Sequence, residues 1–184
     1  MPNILKTHDL EISAFFNDRE ITARFLNDTD QDVILLLLKA CDDFSFLSSG
    51  LPSVEDDAHD LLTDQPAETS PDQKGVIGFF DGDHRLVAAL DFLTGYPAEK
   101  IWFIGLLLIH PDLRGQGCGT RILSGFEALA RTNQAKALMI GVLECNTAAL
   151  RFWQANGFQE VERTGPRLYG LRKHIIIRMR KDLI

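Results

Sequence analysis

Long hydrophobic runs, cysteine and tyrosine are what this 184-residue chain has least of. In its N-terminal part the longest uninterrupted apolar stretch, Val33 to Leu38, is far short of the ~20 residues that cross a bilayer. No membrane helix and no membrane partner are therefore expected. Residues Met1 to Asp9 hold neither a basic stretch followed by an apolar one nor a small-residue cleavage site, so no secretory signal is read there. These absences predict a cytoplasmic protein. The three cysteines, Cys41, Cys118 and Cys145, are an odd number at spacings that fit no zinc or C-x-x-C pattern, which predicts incidental thiols and no metal site. Positive charge is also in deficit: 19 Lys plus Arg against 26 Asp plus Glu leave a net −7. A general nucleic-acid binder would want the opposite balance.

What is present is an ordinary globular composition, 45% hydrophobic and 24% charged. The length suits one core, and the composition excludes wholly disordered, collagen-like and disulfide-stapled chains. The charge is unevenly spread. Residues 1–74 carry 16 acidic and 5 basic side chains, whereas residues 75–184 carry 10 acidic and 14 basic. The C-terminal part suits an anionic ligand and the N-terminal part a cationic one.

Residues 1–19 have no clean periodicity, although Ile12, Phe15 and Phe16 are apolar; they read as an N-terminal extension to a domain over 20–184. Ile21 to Phe25 alternates as a strand, and Thr29 followed by Asp32 resembles a helix N-cap ahead of the apolar run 33–38. Asp42-Asp43-Phe44-Ser45-Phe46 reads as a polar-aromatic loop. A second helix is predicted from Ser53, after Pro52, to about Leu62, then a Pro- and Thr-containing loop over 63–73. Val76–Phe80 and Leu86–Leu93 are strand-like and flank an Asp81-Gly82 turn, a strong hairpin signal. Ile101 to Ile109 is apolar almost throughout and predicts a strand buried on both faces, ending at His110-Pro111. Beyond the glycines that follow, Ile122, Leu123, Phe126, Leu129 and Ala130 keep helical spacing. Ala137–Leu143 is a strand, and Thr147–Ala155 a helix closed by Asn156-Gly157. Phe158–Glu162 and His174–Met179 complete the strands.

The most informative segment is Arg114-Gly115-Gln116-Gly117-Cys118-Gly119-Thr120, between the apolar strand and the next helix. Glycines at alternate positions allow a tight turn whose N–H groups face one concavity at the positive end of a helix. Such a nest holds phosphate, and Arg114 adds a cation at its lip. A nucleotidase phosphate loop needs a Gly-Lys-Ser/Thr, and no lysine is near. A dinucleotide fingerprint fails at Thr120, where Gly or Ala is required, and lacks its acidic partner at the proper distance.

These residues bring a family into view. The R-x-x-G-x-G of Arg114 to Gly119, then Asn146-Thr147-Ala148-Ala149-Leu150-Arg151-Phe152-Trp153 and Gly157-Phe158, resembles the GNAT superfamily of acyl-CoA-dependent N-acyltransferases. The likeness covers roughly residues 20–184, and within it Asp43-Phe44 followed by Gly50, Asp91 four residues before Gly95-Tyr96-Pro97, and Ile104 to Leu108 resemble an uncharacterised bacterial branch. It implies a mixed, mostly antiparallel α/β sheet of six to seven strands, splayed after the strand 101–109, with about four helices. It implies that acetyl-CoA is the acyl donor, with its pyrophosphate on the backbone of Arg114, Gly115, Gln116, Gly117, Cys118, Gly119 and Thr120. Its pantetheine arm would pair like a strand with Leu107, Leu108 and Ile109. Asn146, Ala149, Phe152 and Trp153 would line the arm, and dimerisation is a habit of the family.

The expected reaction is acetyl transfer to a primary amine, most simply of a small molecule, by direct attack in a ternary complex. The chemistry needs a neutral amine, a donor for the oxyanion and a proton for the leaving thiolate. The oxyanion donor is expected to be a backbone N–H near Leu108. Trp153 stands where the family commonly has a Tyr, and an indole is no practical proton source, so Tyr96 is the candidate acid, with Tyr169 the other tyrosine. No carboxylate lies in the strand 101–109. Asp91, between Leu90 and Phe92, is the candidate base through desolvation, or else caps the Gly95-Tyr96-Pro97 turn; Glu144 is a weaker candidate, and His84 and His110 read as surface residues. Asp42, Asp43, Glu55, Asp56, Asp57 and Asp60 would wall the acceptor site, as a field for a cationic amine or simply as a solvated face. Without turnover, the same features would make an acyl-CoA-binding module.

Overall fold

The computed structural model describes residues 21–183; the extension expected over residues 1–19 lies outside the described residues. The strands are β1 Thr22–Phe25, β2 Lys74–Phe80, β3 Leu86–Leu93, β4 Ile101–Ile109, β5 Ala137–Leu143, β6 Gln159–Tyr169 and β7 Arg172–Asp182. They form one seven-stranded sheet in the order β1-β2-β3-β4-β5-β7-β6, parallel only between β4 and β5. Among the described residues five α-helices cover it: α1 Gln31–Ala40, α2 Asp42–Ser48, α3 Glu55–Thr63, α4 Cys118–Thr132 and α5 Thr147–Ala155.

The sheet separates two cores. On one face α4 buries the stripe Ile122, Leu123, Phe126, Leu129 and Ala130 that its 3.6-residue spacing predicts. Phe126 meets Phe92 of β3 edge-on at 4.9 Å and Trp102 of β4 at 5.7 Å. On the other face Ile34, Leu37 and Leu38 of α1 and Ala58 of α3 close over Val76, Ala89 and Leu108. Coverage on both sides is why β2 and β3 are nearly continuous buried runs rather than alternating ones.

Several boundaries differ from the sequence reading. Residues 42–46 are not a loop but most of α2. Its acids lie in the first turn, where they complement the helix dipole, and the Asp42 carboxylate accepts the Ser53 N–H at 2.9 Å. Asn27, not Thr29, caps the turn leading into α1, its side chain taking the Thr29 N–H while the Asp30 carboxylate takes the Asn27 N–H. The α3 helix begins at Glu55, two residues beyond Ser53, with the Asp57 carboxylate holding the Val54 N–H. The last two strands form a far longer hairpin than 158–162 and 174–179 imply; β6 is exposed along nearly its whole length, so it has no hydrophobic alternation to read.

β4 is the correction that matters for function. Gly105 is exposed, and Phe103, Leu106, Leu107 and Ile109 are only half-buried. Pairing with β5 runs from Ile101↔Ala137 to Ile104↔Ile140 and ends there, while β5 continues to Leu143 paired with β7. From Gly105 onward, β4 has an open edge. The sheet is splayed there, as the resemblance implied.

Candidate active site

Between Asp91 and Phe92 the register of β3 against β4 shifts: Asp91 faces Leu106, Phe92 faces Ile104, and Gly105 is the extra residue of a bulge. The bulge reverses which face successive β4 residues take. Trp102 and Ile104 join the α4 core, whereas Leu106 and Leu108 join the α1 core. Past it, the His110 N–H bonds to the Val87 carbonyl. Antiparallel alternation then turns the backbone groups of Leu108 and Leu106 toward β3, and those of Leu107 and Ile109 toward the open edge. Near Leu108, the backbone N–H groups that face the open edge are those of Leu107 and Ile109. The Ile109 carbonyl is already used, accepting from Arg114 Nε at 2.8 Å and from Cys41 Sγ at 3.5 Å.

Beyond that edge lies the glycine turn. Gly115 and Gly117 have φ of 74° and 79°, left-handed values that side chains other than glycine adopt at a cost. A Cβ added at either would meet nothing within 4 Å, so the concave side is open. Gly119 serves differently: it lies in the first turn of α4, where a Cβ would come within 3.0 Å of Ile109 and 3.1 Å of the Phe152 ring. That contact brings the two halves of the sequence motif together. Cys118 is buried beneath them; Gln116 and Thr120 are exposed, and the Gln116 amide donates to the Asp112 carbonyl at 2.5 Å.

Arg114 is not the free cation its position in the turn implied. Its guanidinium grips Asp43 of α2 through both oxygens, at 2.5 and 3.1 Å, and this holds the Asp43 carboxyl below the usual carboxylate range. With Arg114 engaged, what the turn itself offers on its concave side is its backbone N–H groups. Asn146 caps α5, its side-chain oxygen taking the Ala149 N–H at 3.1 Å and its amide nitrogen having no protein partner among the described residues. Phe152 is half-buried between α5 and Gly119, but Trp153 is a core residue, 4% exposed, stacked edge-on with Phe152 and Phe158 at 5.0 Å each.

Asp91 sits on the α1 face of β3, and Lys74, at the start of β2, is its diagonal neighbour on that face. Lys74 Nζ donates to Asp91 Oδ1 at 2.8 Å, with the two side chains 6% and 15% exposed. The other oxygen, Oδ2, accepts no hydrogen bond among the described residues and occupies the space over Gly105: a Cβ there would come within 2.3 Å of it. Burial pushes the carboxyl up to about 6, against the opposing pull of Lys74. Asp91 is thus a carboxylate with one oxygen anchored and one presented at the bulge where β4 opens.

Tyr96 is half-buried in the turn after β3, edge-on to Phe103 of β4 with ring centroids 5.7 Å apart. Tyr169 is at the tip of the terminal hairpin, 40% exposed. Glu144 is paired with Arg163, and His84 and His110 lie in exposed or half-exposed turns. Of the six acids expected to wall an acceptor site, Asp42, Asp43 and Asp57 are engaged in the contacts given above, and Glu55, Asp56 and Asp60 are exposed on α3. Of the three thiols, Cys41 and Cys118 are buried and Cys145 is exposed. Cys145 lies 3.5 Å from His174 Nδ1, whose Nε2–H bonds to the Ser48 carbonyl at 2.8 Å, tying β7 to the end of α2. Among the described residues no group of three or more His, Cys, Asp or Glu could hold a metal, and no helix is long and apolar enough to cross a membrane.

The sequence singled out Asp91 and the glycine turn; it missed the parts played by Lys74, Gly105 and Asp43. Lys74 had one legible sign, a lone cation entering an apolar strand. The model of the Acetyltransferase (GNAT) family matches residues 38–158. A search of curated proteins finds no match. Among solved structures, an acetyltransferase from Thermus thermophilus superposes with a TM-score of 0.71 at 24% identity, over 88% of this chain and 96% of its own. A ribosomal-protein alanine N-acetyltransferase from Escherichia coli gives 0.66 at 15% identity, over 89% and 94%. A spermidine N-acetyltransferase chimera with a Vibrio cholerae parent gives 0.66 at 16% identity, over 89% and 95%.

Proposed function

The chain belongs to the GNAT family of acetyltransferases, and from that premise we propose that it transfers an acetyl group from acetyl-CoA to a primary amine of a small molecule, by direct attack in a ternary complex. The observation that carries this reading is the free Oδ2 of Asp91 over Gly105, beside the open edge of β4. Acetyl-CoA would supply an activated acyl thioester. The backbone of residues 114–120 would take its pyrophosphate, with Gly115 and Gly117 letting the phosphates approach the N–H groups closely. The outward-facing groups of Leu107 and the Ile109 N–H would pair with the pantetheine amides, and the free amide of Asn146 is placed to join them, beside Ala149 and Phe152. Trp153, being in the core, supports the α5 wall and contacts no ligand.

In this reading the Leu107 N–H points where a tetrahedral oxyanion would form, and a preformed donor there favours the transition state over the ground state. Asp91 Oδ2 takes the proton released as the amine nitrogen bonds to the carbonyl carbon. The C–S bond then breaks and the thiolate takes a proton, for which Tyr96, packed on Phe103 of β4, is the candidate donor. The acidic surface of α3, Glu55, Asp56 and Asp60, favours a cationic acceptor. The buried Trp153 in the usual tyrosine position favours one other reading, an acyl-CoA-binding module without turnover. Calorimetric titration with acetyl-CoA is expected to show saturable binding; no heat at millimolar ligand would sink both readings.

A further inference from the structure

The proposed reaction assigns no part to the ion-pair partner of Asp91, Lys74. A lysine side chain 6% exposed is uncommon, and here it reaches diagonally to a single carboxylate oxygen on the adjacent strand. We propose that Lys74 is the positioning residue of the active site: by gripping Oδ1 of Asp91 it leaves Oδ2 directed over Gly105, toward the incoming amine, and keeps the carboxylate ionised there. The inference rests on Asp91 being the base.

Three observations support it. Gly105 has given up its side chain where Asp91 needs the room, since any Cβ would overlap Oδ2. The bulge that makes Gly105 the extra residue lies where the open edge of β4 begins, so the free oxygen and the open edge coincide in sequence register. The ionisable surroundings are also few. Lys74 faces Asp91 from β2, Asp64 acts on it from the segment after α3, and β4 contributes only Gly105 and Leu106, neither of which titrates. Burial and Asp64 both favour the protonated acid, which cannot accept a proton from an amine. Lys74 alone opposes them. An opposing charge at this range lowers a carboxyl by about 1–3 pH units; without it, the Asp91 carboxyl would hold its proton to higher pH.

The test uses the full chain as wild type, Lys74→Met, Lys74→Arg and Asp91→Asn, with thermal melts to confirm folding. The Asp91 carboxyl is titrated by carbon NMR in the free protein, and the pH profile of kcat/KM is measured with one amine throughout. In Lys74→Met both the titration and the acid limb of the profile are expected to move upward by about 1–3 pH units, and Lys74→Arg is expected to return both toward wild type. An Asp91 titration unmoved in Lys74→Met would overturn the role of Lys74 alone. A moved titration with an unmoved limb, or an acid limb that persists in Asp91→Asn, would overturn Asp91 as base and this inference with it. If Lys74→Met does not fold, Lys74→Arg still decides: the arginine fork keeps the charge but not the single-atom grip, so kcat should fall with KM for acetyl-CoA unchanged. Wild-type kcat in a folded Lys74→Arg would contradict positioning.

Discussion

Asp91→Asn is expected to lower kcat/KM for the amine by about 10²–10⁴, the range that a positioned general base contributes, while the affinity for acetyl-CoA stays within about twofold of wild type. The direction of the pH dependence follows from the raised carboxyl. Asp91 loses its proton as pH rises through about 6, so the wild-type rate should climb across that interval and then level. The asparagine variant should lose the limb, because an amide does not titrate. Asparagine keeps an oxygen for Lys74 but removes the countercharge, and losing one partner of a buried pair costs up to about 3–5 kcal/mol. A melt measured beside the kinetics separates the two effects: lower stability with an unchanged profile would show that Asp91 serves only to neutralise Lys74.

The second large effect is expected at the glycine turn. Gly117 has left-handed backbone and open space around its missing side chain, and Asn and Asp are the residues that best tolerate such a φ. Gly117→Asn and Gly117→Asp should therefore fold alike and differ only in charge. Two like charges about 5 Å apart near a protein surface repel by about 3 kcal/mol, less screening. The aspartate variant should accordingly bind acetyl-CoA about 10–100-fold more weakly than the asparagine variant, with the gap narrowing as salt is added. Equal affinities in low salt would show that the pyrophosphate does not lie on this turn. The pair is informative because Arg114 is already neutralised by Asp43, so no nearby free cation on that side chain would mask an added negative charge.

How much of this was legible in the sequence depended on whether a feature is local. The α4 stripe from Ile122 to Ala130 and the hairpin at Asp81-Gly82 rest on spacing and turn chemistry, and both were readable. So was the turn from Arg114 to Thr120, because glycines at alternate positions are a local statement about backbone. The α2 helix escaped because it is short, and Asp-Asp-Phe-Ser favours turns as readily as a first helical turn. The length of β6 escaped because neither of its faces is buried. Contacts set by register were out of reach. Lys74 meets Asp91 only because β2 and β3 pair in one particular alignment, and Gly105 makes room for Oδ2 only because the bulge falls there. Arg114 and Asp43 are 71 residues apart, and nothing in their flanking sequence announces the pair. The motif residue Trp153 shows the converse: its position in the pattern was clear, yet its burial against Phe158 is visible only in the packing.

The account stands on acyl transfer to an amine, and release of free CoA thiol from acetyl-CoA, followed over a panel of monoamines, diamines, amino acids and a lysine-bearing peptide, tests it most directly. The prediction is thiol release that requires an amine, matches N-acetylated product one for one, and is fastest with small cationic amines. Saturable binding of acetyl-CoA with thiol release no faster in the presence of any amine than in its absence would contradict it and leave a binding module.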